Sequence, residues 1–166
     1  MATPYRVTFV CSGNICRSPM AESVLRSMLA AEGLADAVRV DSFGLGDWHI
    51  GEPTDARALT ALRGRGYDIV HRAQVIDPQD LSEQDLVVAI DRDHERALHG
   101  LAATAEDAGK IILLRSFDDT AGEDLDVPDP YYGGTAEFER VLDMVELSCR
   151  GLVADLAKRL ADRPSR

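Results

Sequence analysis

The chain has 166 residues, 45% of them apolar and 28% charged, enough for a single domain with a proper hydrophobic core. No segment approaches the roughly 20 apolar residues of a membrane span, and no basic stretch followed by an apolar one opens the chain, so the expected location is cytoplasmic, with no membrane partner. A net charge of −11 argues against a nucleic-acid partner, because binding to a phosphate backbone needs a basic patch.

The first element is the β-branched and aromatic run Arg6-Val7-Thr8-Phe9-Val10, which reads as a buried strand. From Met20 to Leu29, apolar residues at Ala21, Val24, Leu25 and Met28 have helical spacing. Between the two lies Cys11-Ser12-Gly13-Asn14-Ile15-Cys16-Arg17-Ser18-Pro19. Ser18 suits the N-cap of the helix and Pro19 its first position. Free amides at that terminus and the positive end of the helix dipole make an anion site, and Gly13 allows the loop to wrap an oxyanion. Arg17 brings a planar fork that can hold two phosphoryl oxygens at once. Cys11, beside a helix N-terminus and an arginine, is favoured as thiolate, the nucleophilic form. An acidic chain must attract a phosphorylated substrate through a local positive site, formed by Arg17, the loop amides and Arg72.

Val38 to Phe43 reads as a strand, Gly46 to Gly51 as a glycine-bounded loop carrying the only tryptophan, Trp48, and Thr54 to Arg63 as a helix. A strand at Leu86 to Ile90, a helix at Arg92 to Leu98 and a strand at Lys110 to Leu114 follow. Strands alternating with helices imply an α/β fold: a single-domain three-layer sandwich over residues 1–166, with a four-stranded parallel sheet and helices on both faces. Ligands in such sheets sit beyond the carboxyl ends of the strands, where Cys11 lies.

The segment Asp126-Val127-Pro128-Asp129-Pro130-Tyr131-Tyr132-Gly133-Gly134 offers a proton donor. Val127 and Asp129 each precede a proline and are pushed toward extended backbone, so the loop is stiff and presents Asp129 in one orientation. Desolvation and a phosphate dianion nearby would keep that carboxyl protonated for donation. Thr135 to Leu160 reads as a long helix whose apolar stripe includes Cys149, a buried structural thiol; the polar tail Asp162 to Arg166 is expected to fray. No metal site is expected, since Cys11 and Cys16 lack a second pair and His94 and His99 are five apart.

From Val7 to about Leu156 the chain resembles the low-molecular-weight protein tyrosine phosphatases, through both C-S-G-N-I-C-R-S-P-M-A-E and D-P-Y-Y-G. The resemblance implies Cys11 as nucleophile, Arg17 as phosphate clamp and Asp129 as general acid and base, with Ser18 supporting the thiolate. Asn14 would fix the loop's shape, and His71 would join an outer hydrogen-bond network that reaches it. Ser12, Gly13, Asn14, Ile15, Cys16 and Ser18 would form the phosphate site, with Trp48, Tyr131 and Tyr132 as an aromatic rim suited to a phenyl ring. A tyrosine-phosphorylated protein would be the substrate and inorganic phosphate the product, with no cofactor, by a monomer or weak homodimer. Reversible inactivation by a Cys11–Cys16 disulfide is implied too, though Cys16 equally suits a small residue filling the underside of the loop. Arginine-specific members of the family, with threonine where this chain has Ile15, give the alternative reading. Arsenate reductases share the loop but need further cysteines, and Asp85 to Asp107 contains none. A non-catalytic phosphate-binding domain would need neither Arg17 nor Asp129.

Overall fold

The computed structural model describes residues 3–163. Its sheet has four parallel strands: β1 (Tyr5–Cys11), β2 (Val38–Gly44), β3 (Leu86–Ala89) and β4 (Ile111–Leu113), in the order β2-β1-β3-β4. The chain passes from β1 to β2 on one side and returns to β3 on the other. That reversal puts the topological switch beside β1, and Cys11, opposite Gly44 in register, ends the strand there.

Two-residue alternation along the strands divides the core into two layers. Val7, Phe9, Val38, Val40, Leu86 and Val88 face α1 (Arg17–Ala31), α2 (Ala56–Gly64) and α6 (Thr135–Asp162), packing with Met20, Leu25, Leu62, Phe138 and Leu152. Val10, Phe43, Val87, Ala89 and Leu113 face the other way, onto Leu81 of α3 (Pro78–Ser82) and Leu98 of α4 (Arg92–Leu101). A one-turn helix α5 (Ala105–Ala108) precedes β4, and a 3₁₀ turn at Leu114–Phe117 follows it. The three-layer α/β sandwich read from the sequence is the observed one.

Boundaries differ in instructive places. α1 starts at Arg17 with Cys16 in the N-cap position, not at Pro19 with Ser18 as cap. Pro19 is tolerated at the third helical position because the first four amides of any helix lack acceptors. Ser18 is thereby freed for another partner. α2 begins at Ala56 because Asp55 caps it, its carboxylate accepting from the Arg57 amide at 2.8 Å. α3 was not anticipated, although Asp77-Pro78-x-Asp80 carries a capping box with proline at the first position. At the C-terminus Arg163 donates to the Thr3 carbonyl at 2.7 Å and lies over the Tyr5 ring, so the expected fraying does not extend to it. Residues 164–166 lie outside the described part of the chain.

Gly151 fixes how α6 lies against the 3₁₀ turn, since a Cβ there would stand 1.9 Å from the Phe117 carbonyl oxygen. Alanine favours a helix interior over glycine by about 1 kcal/mol, but relieving a backbone clash costs more. Gly151→Ala is therefore expected to destabilise the fold by about 1–3 kcal/mol, read as a lowered midpoint in urea. An unchanged or raised midpoint would contradict that packing.

Candidate active site

The loop between β1 and α1 is shaped by Asn14, whose φ of 59° makes it the one non-glycine residue with positive φ among those described. Asparagine visits this region more readily than most side chains. Its fully buried amide nitrogen donates to Ser18 Oγ at 2.8 Å and to Ser42 Oγ at 2.9 Å. Its amide oxygen accepts from the Gln74 backbone at 3.0 Å, and His71 Nε2 lies 2.7 Å from its carbonyl. Ser42 in turn donates to Glu22, a carboxyl whose burial pushes its pKa up. Gly13 has a different use from the one expected: its φ is ordinary, but a Cβ would stand 2.8 Å from the His49 ring.

Cys11 sits at the floor, its Sγ 2.9 Å from Ser18 Oγ and 3.3 Å from the Asn14 amide that donates to it. The first amides of α1 have no helical acceptors, and the positive end of its dipole lies at Cys16 and Arg17. Burial, with Asp55 and Cys11 adding, pushes the Cys16 thiol well above its ordinary range.

Arg17 is buried and anchored at one nitrogen. Its Nη1 donates to Asp91 at 3.0 Å and to the Val127 carbonyl at 3.0 Å, while Nη2 lies 3.7 Å from Asp129. Asp91 is also the N-cap of α4, accepting from the His94 amide at 2.9 Å. His94 reaches back to the loop, with Nε2 2.9 Å from Ser12 Oγ. Asp129 lies on the opposite wall, its side chain 51% exposed and its Oδ1 accepting from the Tyr131 amide at 3.1 Å. Cys11, Ser12, Gly13, Ile15, Cys16 and Arg17 line a cleft of about 370 Å³ with Asp129, His49 and the rim of Trp48, Tyr131 and Tyr132. Trp48 is 70% exposed and Tyr132 95%, the latter edge-on to Tyr131 with ring centres 5.0 Å apart.

Not every expected residue meets the cleft. Asn14 and Ser18 are fully buried behind it, because their polar groups are consumed in holding the loop. His71 touches the loop from outside, and Arg72 points away, donating to the Gly51 carbonyl at 2.9 Å. Asp129 is not desolvated by the protein, since it stands on the open rim. His49, Asp91 and His94 were missed; Asp91 is legible as a helix cap, but its pairing with Arg17 spans 74 residues.

The family model described as low molecular weight phosphotyrosine protein phosphatase matches residues 6–162. The chain belongs to this family. A low molecular weight protein-tyrosine-phosphatase of Streptomyces coelicolor is 51% identical over 160 residues, covering 96% of this chain and 98% of its own. A protein tyrosine phosphatase of Entamoeba histolytica, solved with Hepes in its active site, superposes with a TM-score of 0.89 at 32% identity, over 93% of this chain and 98% of that one. The Bacillus subtilis arginine phosphatase YwlE, solved with a phosphorylated active-site serine, superposes at 0.83 with 28% identity, over 93% and 99%.

Within this family member, the buried network makes two measurable demands. Asn14→Ala would strand the hydroxyls and amide it serves and is expected to cost about 2–4 kcal/mol in urea unfolding. Asn14→Gly loses the same hydrogen bonds but lacks the left-handed strain an alanine bears, and should recover about 1 kcal/mol of that loss. Equal midpoints for the two would deny the strain.

His94 is pushed from its ordinary 6.5 down to about 4, first by burial and then by Arg17. The unfolded chain binds a proton there below about 6.5 that the folded chain refuses until about 4, so stability falls as pH drops through that window. The loss reaches up to about 3 kcal/mol at the acid end. His94→Gln should flatten the stability profile between pH 6.5 and 4; an unaltered slope would contradict this.

Proposed function

We propose that this protein hydrolyses phosphotyrosine in proteins by two successive in-line phosphoryl transfers through Cys11. The observation that carries the reading is the convergence of Cys11, Arg17 and Asp129 on one 370 Å³ cleft with an aromatic rim. In the first transfer the Cys11 thiolate attacks phosphorus, an S–P bond forms and the P–O bond to the tyrosine breaks. Asp129 gives its proton to the departing phenolate. In the second, Asp129 takes a proton from water as the water oxygen attacks phosphorus, and the S–P bond breaks to return the thiolate and inorganic phosphate. The free side of the Arg17 fork and the α1 amides bear the charge on the equatorial oxygens through both steps. Ser18 Oγ, 2.9 Å from the sulfur, stabilises the thiolate as attacker and as leaving group.

Specificity for tyrosine rests on depth and on Ile15. The rim of Trp48, Tyr131 and Tyr132 favours an aromatic ring, and a phosphoserine is too short to bring its phosphorus to the floor while contacting it. Ile15 lines the cleft as a buried apolar surface, a poor partner for a guanidinium. The structural likeness to YwlE keeps phosphoarginine as the comparison substrate.

Wild-type protein is expected to release phosphate from a phosphotyrosine peptide in the presence of a chelator, far faster than from a phosphoarginine peptide. Preference for phosphoarginine would replace the tyrosine reading. Cys11→Ser should end turnover while still binding inorganic phosphate. In kcat/KM, which reports the first transfer, Asp129→Ala is expected to lose about 10²–10⁴-fold on phosphotyrosine but much less on 4-nitrophenyl phosphate, whose leaving group needs no proton. Equal losses on both would contradict the acid role.

A further inference from the structure

We infer that Asp55 and Arg57, outside the cleft, form a positioning relay that sets the distance between the nucleophile loop and the general-acid loop. The inference rests on the reading of Asp129 as general acid. The relay is a continuous chain of hydrogen bonds. The Asp55 amide donates to the Ile15 carbonyl at 2.8 Å, tying the start of α2 to the phosphate loop. Asp55 then grips Arg57 in a two-point pair, Nε to Oδ1 at 3.0 Å and Nη2 to Oδ2 at 2.9 Å. The remaining nitrogen of the guanidinium, Nη1, donates to the Tyr131 carbonyl at 2.7 Å and to the Gly133 carbonyl at 3.2 Å. The guanidinium carbon also lies 5.4 Å from the Tyr131 ring centre and 4.7 Å from that of Phe138.

These bonds meet a need. The upstream end of the acid loop is held elsewhere: Val127 donates to the Ile90 carbonyl, and Arg115 donates to the Asp126 carbonyl. Asp129 lies between those anchors and the carbonyls held by Arg57, so Arg57 closes the second end of the span. The Arg57 side chain is 41% exposed, and an ion pair in that setting adds little to stability. Its contribution is geometric: lysine could supply the charge but not a planar fork serving a carboxylate and two carbonyls together.

The test measures kcat/KM, which reports the first transfer alone, on aryl phosphates whose leaving groups span a wide range of basicity, for wild type, Arg57→Ala, Arg57→Lys, Asp55→Asn, Asp129→Ala and the Arg57→Ala/Asp129→Ala double variant. Asp55→Asn keeps a good cap for α2 while weakening the relay. A misplaced acid predicts a loss of about 10- to 100-fold for Arg57→Ala on phosphotyrosine, shrinking toward the best leaving groups. Arg57→Lys should not restore the rate, Asp55→Asn should show the same leaving-group trend, and the double variant should be no slower than Asp129→Ala alone. Inhibition by inorganic phosphate should be unchanged in the Arg57 and Asp55 variants, which excludes general damage to the fold. Equal losses on every leaving group, or additive losses in the double variant, would overturn the relay. If Asp129→Ala itself showed no leaving-group trend, the acid reading would fail first, and the inference with it.

Discussion

The phosphate-site loop depends on a left-handed asparagine. Asn14 turns the chain between β1 and α1, and holding that conformation costs about 1–2 kcal/mol for an ordinary side chain. Hydrogen bonds to Ser18, Ser42 and the Gln74 backbone offset the cost, and the two to Ser18 and Ser42 are buried, where an unmet partner is expensive. Those partners come from α1, from β2 and from the segment before α3. The shape of the nucleophile's loop is therefore set by packing across half the sheet. Ser18 shows the economy of the arrangement, since one hydroxyl accepts from Asn14 and contacts Cys11 Sγ.

Arg17 forms the second junction. Two partners, Asp91 and the Val127 carbonyl, occupy the same Nη1, so the guanidinium is oriented from one edge while Nη2 lies 3.7 Å from Asp129, a residue that lines the cleft. Asp91 serves three purposes through one carboxylate: it caps α4, orients Arg17 and sets the first turn that brings His94 to Ser12. The arrangement also answers the electrostatic problem of a chain with net charge −11. A phosphate dianion approaches an acidic surface, and what attracts it is a short-range set of amides, helix dipole and guanidinium at the carboxyl end of the central strand β1.

Much of this was readable in the chain. The apolar run before Cys11, the spacing from Cys11 to Arg17 and the paired prolines around Asp129 are local signals, and local rules of strand, helix and turn decode them. The fold class followed because four apolar runs alternate with helical patterns. What escaped was long-range or depended on competition between local rules. Ser18 is a good cap by composition, yet the cap position falls to Cys16, because Ser18 is worth more against Asn14 and Cys11. Gly13 looked like the residue needed for an unusual dihedral, and Asn14 takes that conformation instead. Asp91, His94, Asp55 and Arg57 each carry only a capping or surface signal in sequence; their meaning comes from partners 74 or more residues away in three of the four cases. Asp129 was expected to be shielded and stands on an open wall.

The most direct test of the account is to trap the covalent species it requires. A phosphotyrosine peptide labelled at phosphorus, mixed with the protein and quenched within a single turnover, should leave the label on Cys11 as phosphocysteine, located by peptide mapping. Label on another residue such as Ser18, or release of phosphate with no covalent label at any time point, would contradict it.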